Sequence, residues 1–263
     1  MSRRDVVGFS TMKHLLLCCG LLLFGLLARA GIPMPAWEGL IGLYTLPTAE
    51  TMPEGRPFAF TFTESRFSQS NNSLRVRNIW YTGSLTWQAR SDLELAVTLR
   101  HEYLHAQLFG VPPPATSTDQ KRVQVALKYV LAEPAEDRWG VAVGVQDLGD
   151  VTDIGFSTSG TDRGRRYFAV GTYEWFSLAL THDNRGLGAA AGARWSITDA
   201  MDVIAEYSTD SVFLQAHPEP AIDGNFNLGF RFYPREVPGL RLDTVAVGDG
   251  RFDFGFSVSY LFP

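Results

Sequence analysis

The sequence predicts an all-β fold: an antiparallel up-and-down transmembrane β-barrel of about 12 strands, preceded by an irregular N-terminal segment. Two observations predict it. Apolar and polar residues alternate from residue 56 onward, and the connections between the alternating segments differ regularly in length. Such alternation puts one set of side chains on each face of a sheet. Residues 251–262 show it best, with five aromatic residues and a valine on one face and mostly polar residues on the other.

The same period of two predicts the strands along the whole chain. They are expected near 57–66, 75–89, 92–102, 121–132, 138–147, 166–173, 175–182, 186–196, 201–208, 224–233, 239–247 and 251–262. Long or polar connections are predicted at 67–74, 103–120, 148–165 and 209–223. They alternate with short ones, as the outer loops and periplasmic turns of outer-membrane barrels do. Two connections, at 183–185 and 248–250, are shorter than this rule predicts.

Residues 1–30 have the parts of a secretory signal peptide. Basic residues precede an apolar run from Leu15 to Leu27, which ends in an A-R-A triplet at residues 28–30. The run is shorter than the roughly 20 residues that a membrane-spanning helix needs. We therefore expect cleavage after Ala30 and export to the outer membrane of a Gram-negative bacterium.

The charge of the exported part restricts its partners. Residues 1–30 contain four basic residues and one acidic residue, so 19 basic and 27 acidic residues remain, a net charge of −8. That balance argues against nucleic acid, whose phosphates require a basic surface. The two cysteines, Cys18 and Cys19, lie within the signal peptide. We expect no disulfide, no cofactor and no metal site in the exported protein.

Residues 31–55 are interrupted by prolines and glycines that prevent a long regular element. Within them, a glycine and an aliphatic pair precede Pro-Thr-Ala and then a Met-Pro-Glu-Gly turn. This run resembles the entry motif of the YjbH-type outer-membrane family linked to exopolysaccharide biosynthesis. The residues that carry the resemblance are Gly39, Leu40, Ile41, Pro47, Thr48, Ala49, Met52, Pro53 and Gly55. The runs 192–194, 205–207 and 227–230 resemble that family's closing strands.

The resemblance implies a non-enzymatic outer-membrane barrel protein associated with exopolysaccharide biosynthesis or export. Full-length members are longer, so the chain resembles a short, single-barrel form. Expected partners are outer-membrane lipid, the outer-membrane assembly machinery, whose C-terminal signal Phe262 resembles, and polysaccharide or other envelope proteins. The domains are then the signal peptide 1–30, the motif segment 31–55, a candidate lumen plug, and the barrel 56–263.

Three alternatives remain open at this point: a small-solute porin, a barrel-embedded enzyme acting on lipid or glycan, and a soluble periplasmic β-sandwich. The strongest catalytic motif is His101-Glu102-Tyr103-Leu104-His105, an H-E-x-x-H pattern. That pattern makes a zinc site only on a helix, where both histidines share one face. The preceding residues alternate as a strand, so we expect the rim of a barrel and no enzyme.

Isolated charged residues fall on the predicted inward faces of the strands. We expect them to form a charge network in the lumen, with ordinary filling of the barrel interior as the alternative. The candidate members are Glu94, Arg100, Arg122, Lys128, Arg194, Glu206, Arg231, Arg241, Asp243 and Asp253.

Overall fold

The fold is a closed barrel of 12 antiparallel strands, in which each strand pairs with its neighbours in sequence and the first pairs with the last. The computed structural model describes residues 33–36, 40, 42–43, 46–70, 74–108, 116–146, 148, 165–183, 186–209, 225–248 and 252–263. No helix among these residues has the length and apolar character needed to cross a membrane. The predicted transmembrane β-barrel is confirmed.

The strand bounds follow the predicted order. They are β1 Phe58–Ser70, β2 Leu74–Arg90, β3 Leu93–Leu108, β4 Thr116–Ala132, β5 Gly140–Gln146, β6 Arg166–Tyr173, β7 Phe176–Asp183, β8 Gly186–Thr198, β9 Met201–Ser208, β10 Asn225–Phe232, β11 Leu240–Gly248 and β12 Phe252–Phe262.

The alternation in the sequence separates a lipid face from a lumen face. On β1 the side chain of Phe60 is 44% exposed on the outside, whereas that of the next residue, Thr61, is 1% exposed inside. Outward-facing large apolar side chains occur all round the barrel, among them Leu85, Leu99, Leu131, Leu180, Phe230 and Phe256. Lipid offers the backbone no hydrogen-bond partners, so a sheet can cross it only if it closes on itself.

Aromatic pairs lie on the outside of the barrel at the end where β1 begins and β12 ends. Ring centroids lie 6.2 Å apart in Phe58 and Trp87, and 5.0 Å apart in Tyr260 and Phe262. Two further pairs, Trp139–Tyr173 and Trp175–Trp195, lie at the same end. Amphipathic rings at this level are typical of the membrane–water interface. We call this end the terminal end and the opposite one the loop end.

Two of the predicted long connections are wrong. The β1–β2 ladder continues to Ser70↔Arg75 and the β3–β4 ladder to Ala106↔Thr116, so only 71–73 and 109–115 connect these strands. Beyond the bilayer both faces of a strand meet water. The apolar alternation that marks a strand in the sequence is therefore lost, although the backbone pairing continues. The other two predicted long connections lie mostly outside the described residues.

The described part of the segment before β1 enters the barrel. A turn reverses the chain just before β1, where the Arg56 N–H donates to the Pro53 carbonyl at 3.0 Å. Gly55, third in this turn, has a φ of 76°, a conformation that favours glycine. From here the described residues between 52 and 33 lie in the lumen, with Met34, Leu40 and Leu46 fully buried.

A charged side chain placed on the lipid face should destabilise the barrel according to its depth in the membrane. Leu180 lies near the middle of β7 and is 65% exposed, so Leu180→Arg should destabilise the folded barrel by about 2–4 kcal/mol. Urea unfolding in lipid vesicles, followed by tryptophan fluorescence, measures the change. Leu187→Arg is the matched control, because this 86% exposed residue lies at the loop end of β8 and should cost only about 0–1 kcal/mol. Equal destabilisation by the two variants would contradict the placement of Leu180 against lipid.

Candidate functional site

The candidate site is the lumen together with the chain that fills it. We call the described residues between 33 and 52 the lumen plug. Its backbone folds on itself: the Gly42 N–H donates to the Met34 carbonyl, and the Leu43 N–H to the Leu46 carbonyl, both at 2.9 Å. A Cβ added at Gly42 would overlap the carbonyl oxygen of Leu46. Glycine is therefore required for this close approach.

Apolar side chains of the plug form a core inside the barrel. Leu40, Leu43, Leu46 and Ala49 are buried. They share one cluster with wall residues that include Val130, Phe168, Val170, Ile204 and Val245. The wall makes room for them at Gly192 of β8, where an added Cβ would overlap the Cδ1 of Leu43. Gly192 of β8 therefore leaves the space that Leu43 of the plug occupies.

Two arginines of the wall bind backbone carbonyls of the plug. Arg231 of β10 donates from Nη2 to the Leu43 carbonyl at 2.9 Å and from Nη1 to the Gly42 carbonyl at 3.3 Å. Arg241 of β11 donates to the Pro35 carbonyl. Both guanidinium groups also contact the Asp243 carboxylate, at 3.2 Å and 3.0 Å. One wall carboxylate, the Ser257 hydroxyl and three plug carbonyls therefore contact two fully buried cations.

A third arginine binds the plug's own carboxylate. Arg194 Nη2 of β8 lies 2.6 Å from Glu50 Oε1, and both side chains are more than nine-tenths buried. The Thr48 hydroxyl donates to the other Glu50 oxygen at 3.0 Å. The Glu50 carbonyl accepts from Lys128 Nζ at 2.9 Å, and this ammonium also pairs with Glu94 at 2.9 Å. Glu50 thus ties the plug to β4 and β8 on two sides of the barrel.

The wall also accepts hydrogen bonds from plug N–H groups. Leu46 N–H donates to Glu206 Oε1 at 3.2 Å, and Asn227 holds the second oxygen of that carboxylate at 3.1 Å. Ala49 N–H donates to the Thr172 hydroxyl at 2.9 Å. A buried backbone N–H without a hydrogen-bond partner is costly. The wall side chains therefore supply hydrogen bonds that strand pairing would supply in a sheet.

A tyrosine beyond the end of β10 supports the charged wall. The Tyr233 hydroxyl donates to Asp202 Oδ2 at 2.6 Å, and Asp202 also accepts from Ser196 at 2.7 Å. Burial raises the pKa of the Tyr233 phenol above its ordinary value. The phenol therefore stays protonated and keeps donating to the carboxylate in any ordinary buffer.

The eight predicted network residues whose side chains the structure describes are all buried. Glu94 pairs with Lys128, and Arg231, Arg241 and Asp243 form a second group. Arg194 and Glu206 contact the plug, and Arg100 lies over the Trp80 ring at 4.9 Å. The side chains of Arg122 and Asp253 lie outside the described residues. The interpretation of these groups as one network stays a prediction.

Sequence reasoning missed Glu50 and the plug backbone as partners of the wall. The available signal was one carboxylate in an otherwise apolar, proline-rich stretch of the motif segment. Of the motif residues, Leu40, Pro47, Thr48, Ala49 and Met52 lie in the plug, and Pro53 and Gly55 lie in the turn before β1. Gly39 and Ile41 lie outside the described residues.

The H-E-x-x-H motif lies in β3, a strand, where its spacing cannot bring both histidines to one metal ion as a helix would. His101 packs against Tyr103 with ring centroids 4.2 Å apart. Among the described residues, no group of histidine, cysteine or acidic side chains is arranged to hold a metal ion. A cavity of about 500 Å³ opens at the terminal end beside the plug, lined by residues that include Glu50, Glu133, Glu136 and Glu174.

Comparison with known proteins finds no matching family model and no matching curated protein. Among solved structures, an outer membrane channel from Pseudomonas putida F1 is similar at 12% identity, covering 81% of this chain and 100% of that one, with a TM-score of 0.43. The translocator domain of the autotransporter NalP from Neisseria meningitidis matches at 10% identity, 80% and 90% coverage and a TM-score of 0.41. The Pseudomonas putida toluene transporter TodX matches at 10% identity, 89% and 96% coverage and a TM-score of 0.41. Such scores carry no argument about function, and the resemblance to the YjbH-type family stays a prediction.

Because Glu50 and Arg194 form a buried ion pair, removal of the Glu50 carboxylate should strongly lower the free energy of unfolding. Glu50→Gln leaves the buried Arg194 without its carboxylate and should destabilise the protein by about 3–5 kcal/mol. Unfolding by urea in lipid vesicles measures it. Glu64→Gln is the control, because Glu64 pairs with Arg66 on the exposed surface and such pairs contribute about 0–1 kcal/mol. Equal destabilisation by both variants would contradict a role for Glu50 in holding the plug.

Proposed function

We propose that the protein is a channel for small solutes in the outer membrane, and that its own N-terminal segment closes the lumen. The observation that carries this proposal is the plug, which fills a polar lumen and is held there by hydrogen bonds, ion pairs and apolar contacts. The barrel supplies the passage and the plug supplies the closed state.

Part of the lumen wall is lined by hydroxyl groups. Hydroxyl groups face inward on β1, β2, β3 and β12, and they bond across the strands: Thr61 to Ser259 at 2.8 Å and Ser84 to Thr98 at 2.9 Å. Hydroxyls can exchange such bonds for bonds to water at little cost. A wall of this kind supports the passage of solutes in water.

The plug can leave without opening the barrel. The barrel strands satisfy one another's backbone groups in a closed ladder from β1 to β12. The described plug residues belong to none of the 12 barrel strands, and wall side chains such as Arg231 and Thr172 bind the plug. Its tether to β1 is the turn at Gly55, outside the core cluster. Release therefore breaks only plug contacts.

A reversible lock on the plug tests the proposal. Leu43 and Gly192 are in contact, so Leu43→Cys with Gly192→Cys should form a disulfide that fixes the plug to β8. Apart from these, the only cysteines are Cys18 and Cys19. In planar bilayers we expect current steps from the reduced protein and their loss on oxidation, because only the unlocked plug can leave.

The two single-cysteine variants control for effects of the oxidant and should conduct equally in both redox states. Gel mobility with and without reductant shows that the disulfide has formed. Equal conductance of the locked and unlocked protein would contradict the proposal, because the plug would then not control the passage.

A second candidate function is a role in exopolysaccharide biosynthesis or export. One observation favours it: the motif that resembles the YjbH-type family is also the segment that fills the lumen. A strain whose own copy is deleted, and which is complemented with the intact chain or with the Glu50→Gln variant, tests this role. Surface polysaccharide should fall on deletion and return only with the intact chain, and unchanged polysaccharide on deletion would discard the role.

A further inference from the structure

We propose that the open lumen binds short peptides that carry a branched aliphatic side chain and a free carboxylate. The inference rests on the proposed function, since the plug must leave before another ligand can enter. Its basis is the chemistry of the occupant that the structure shows: the plug is itself a peptide, and the wall recognises it group by group.

The first element of recognition is the peptide backbone. Arg231 donates to two successive plug carbonyls, those of Gly42 and Leu43. Glu206 and Thr172 accept from plug N–H groups at Leu46 and Ala49. A site that offers both donors and acceptors to amide groups discriminates peptides from solutes that carry a carboxylate alone.

The second element is a place for an aliphatic side chain. Leu43 Cδ1 lies close enough to overlap a Cβ placed at Gly192, and Leu46 Cδ2 lies 3.1 Å from the position of that Cβ. Ile204 of β9 adds an apolar wall within the same cluster. When the plug leaves, this space can take a leucine side chain from another peptide.

The third element is a carboxylate site at Arg194. Gly192 and Arg194 are two residues apart on one face of β8, about 7 Å at the rise of a strand. This separation suits a leucine side chain and a terminal carboxylate on one short peptide. Glu50 holds that place in the closed state, with its oxygen 2.6 Å from Arg194.

The energetics favour a ligand that copies the plug. Departure of the plug takes acceptors away from buried guanidinium groups, and water in a narrow lumen replaces them imperfectly. The tethered plug competes at a high effective concentration, so a free peptide binds well only where the plug is weakened. The carboxylates of Glu133, Glu136 and Glu174 at the terminal end are exposed. Physiological salt screens such charges beyond about 8 Å, so their repulsion of an anionic peptide is short-ranged.

The experiment uses the full chain with Glu50→Gln in lipid nanodiscs and measures peptide binding by calorimetry. The probe is the tripeptide Leu-Leu-Leu, compared with its C-terminal amide and with hexanoate. We expect the free-acid peptide to bind about tenfold or more tightly than the amide, because only its carboxylate can replace that of Glu50 on Arg194. Hexanoate, which lacks amide groups, should bind more weakly than the peptide acid.

Added Arg194→Gln should abolish the preference for acid over amide, whereas added Arg66→Gln, at an exposed arginine, should preserve it. If Glu50→Gln does not fold, Glu50→Asp keeps the charge, shortens its reach to Arg194 and should give the same order of affinities. Equal binding of acid and amide, or equal binding of hexanoate and the peptide, would overturn the proposal. Binding does not require conductance, so a failure here is distinct from a failure of the channel proposal.

Discussion

Buried cations in the lumen are the constraint on which the rest of the structure depends. Lys128, Arg194, Arg231 and Arg241 point into the barrel and are almost entirely shielded from solvent. A buried charge is costly unless a carboxylate or several hydrogen-bond acceptors surround it. The wall supplies some of these acceptors, through Glu94, Asp243 and Ser257, and the N-terminal segment supplies others through Glu50 and its backbone carbonyls. The N-terminal segment therefore provides hydrogen-bond acceptors and a carboxylate to the inward-facing arginines.

The same constraint explains the small residues of the wall. A barrel filled by its own side chains would place large residues inward on every strand. Here β8 presents Gly192, and the plug fills the space with Leu43 and Leu46. The apolar contacts add stability without fixing the plug covalently, and the polar contacts set its position. In the proposed channel, a segment held in this way can be exchanged for a solute, whereas a side chain of the wall cannot.

The fold could be predicted from the sequence because lipid and lumen impose opposite demands on successive residues, as at Phe60 and Thr61. The extensions of β1 to β4 could not, because outside the membrane both faces are solvated. Inward charges such as Arg194 and Arg231 could be placed by the alternation along their strands alone. Their partners Glu50 and the carbonyls of Gly42 and Leu43 could not, because an irregular segment has no period from which its path could be derived.

Hydrogen exchange of the intact protein in nanodiscs tests the central claim most directly, namely that the N-terminal segment is bound inside the barrel. The amides of Gly42, Leu43, Leu46 and Ala49 all donate hydrogen bonds within the lumen. They should exchange many times more slowly than those of Glu54 and Gly55 in the exposed turn. Exchange of all six amides at the same rapid rate would show that the segment lies outside the lumen and would contradict the account.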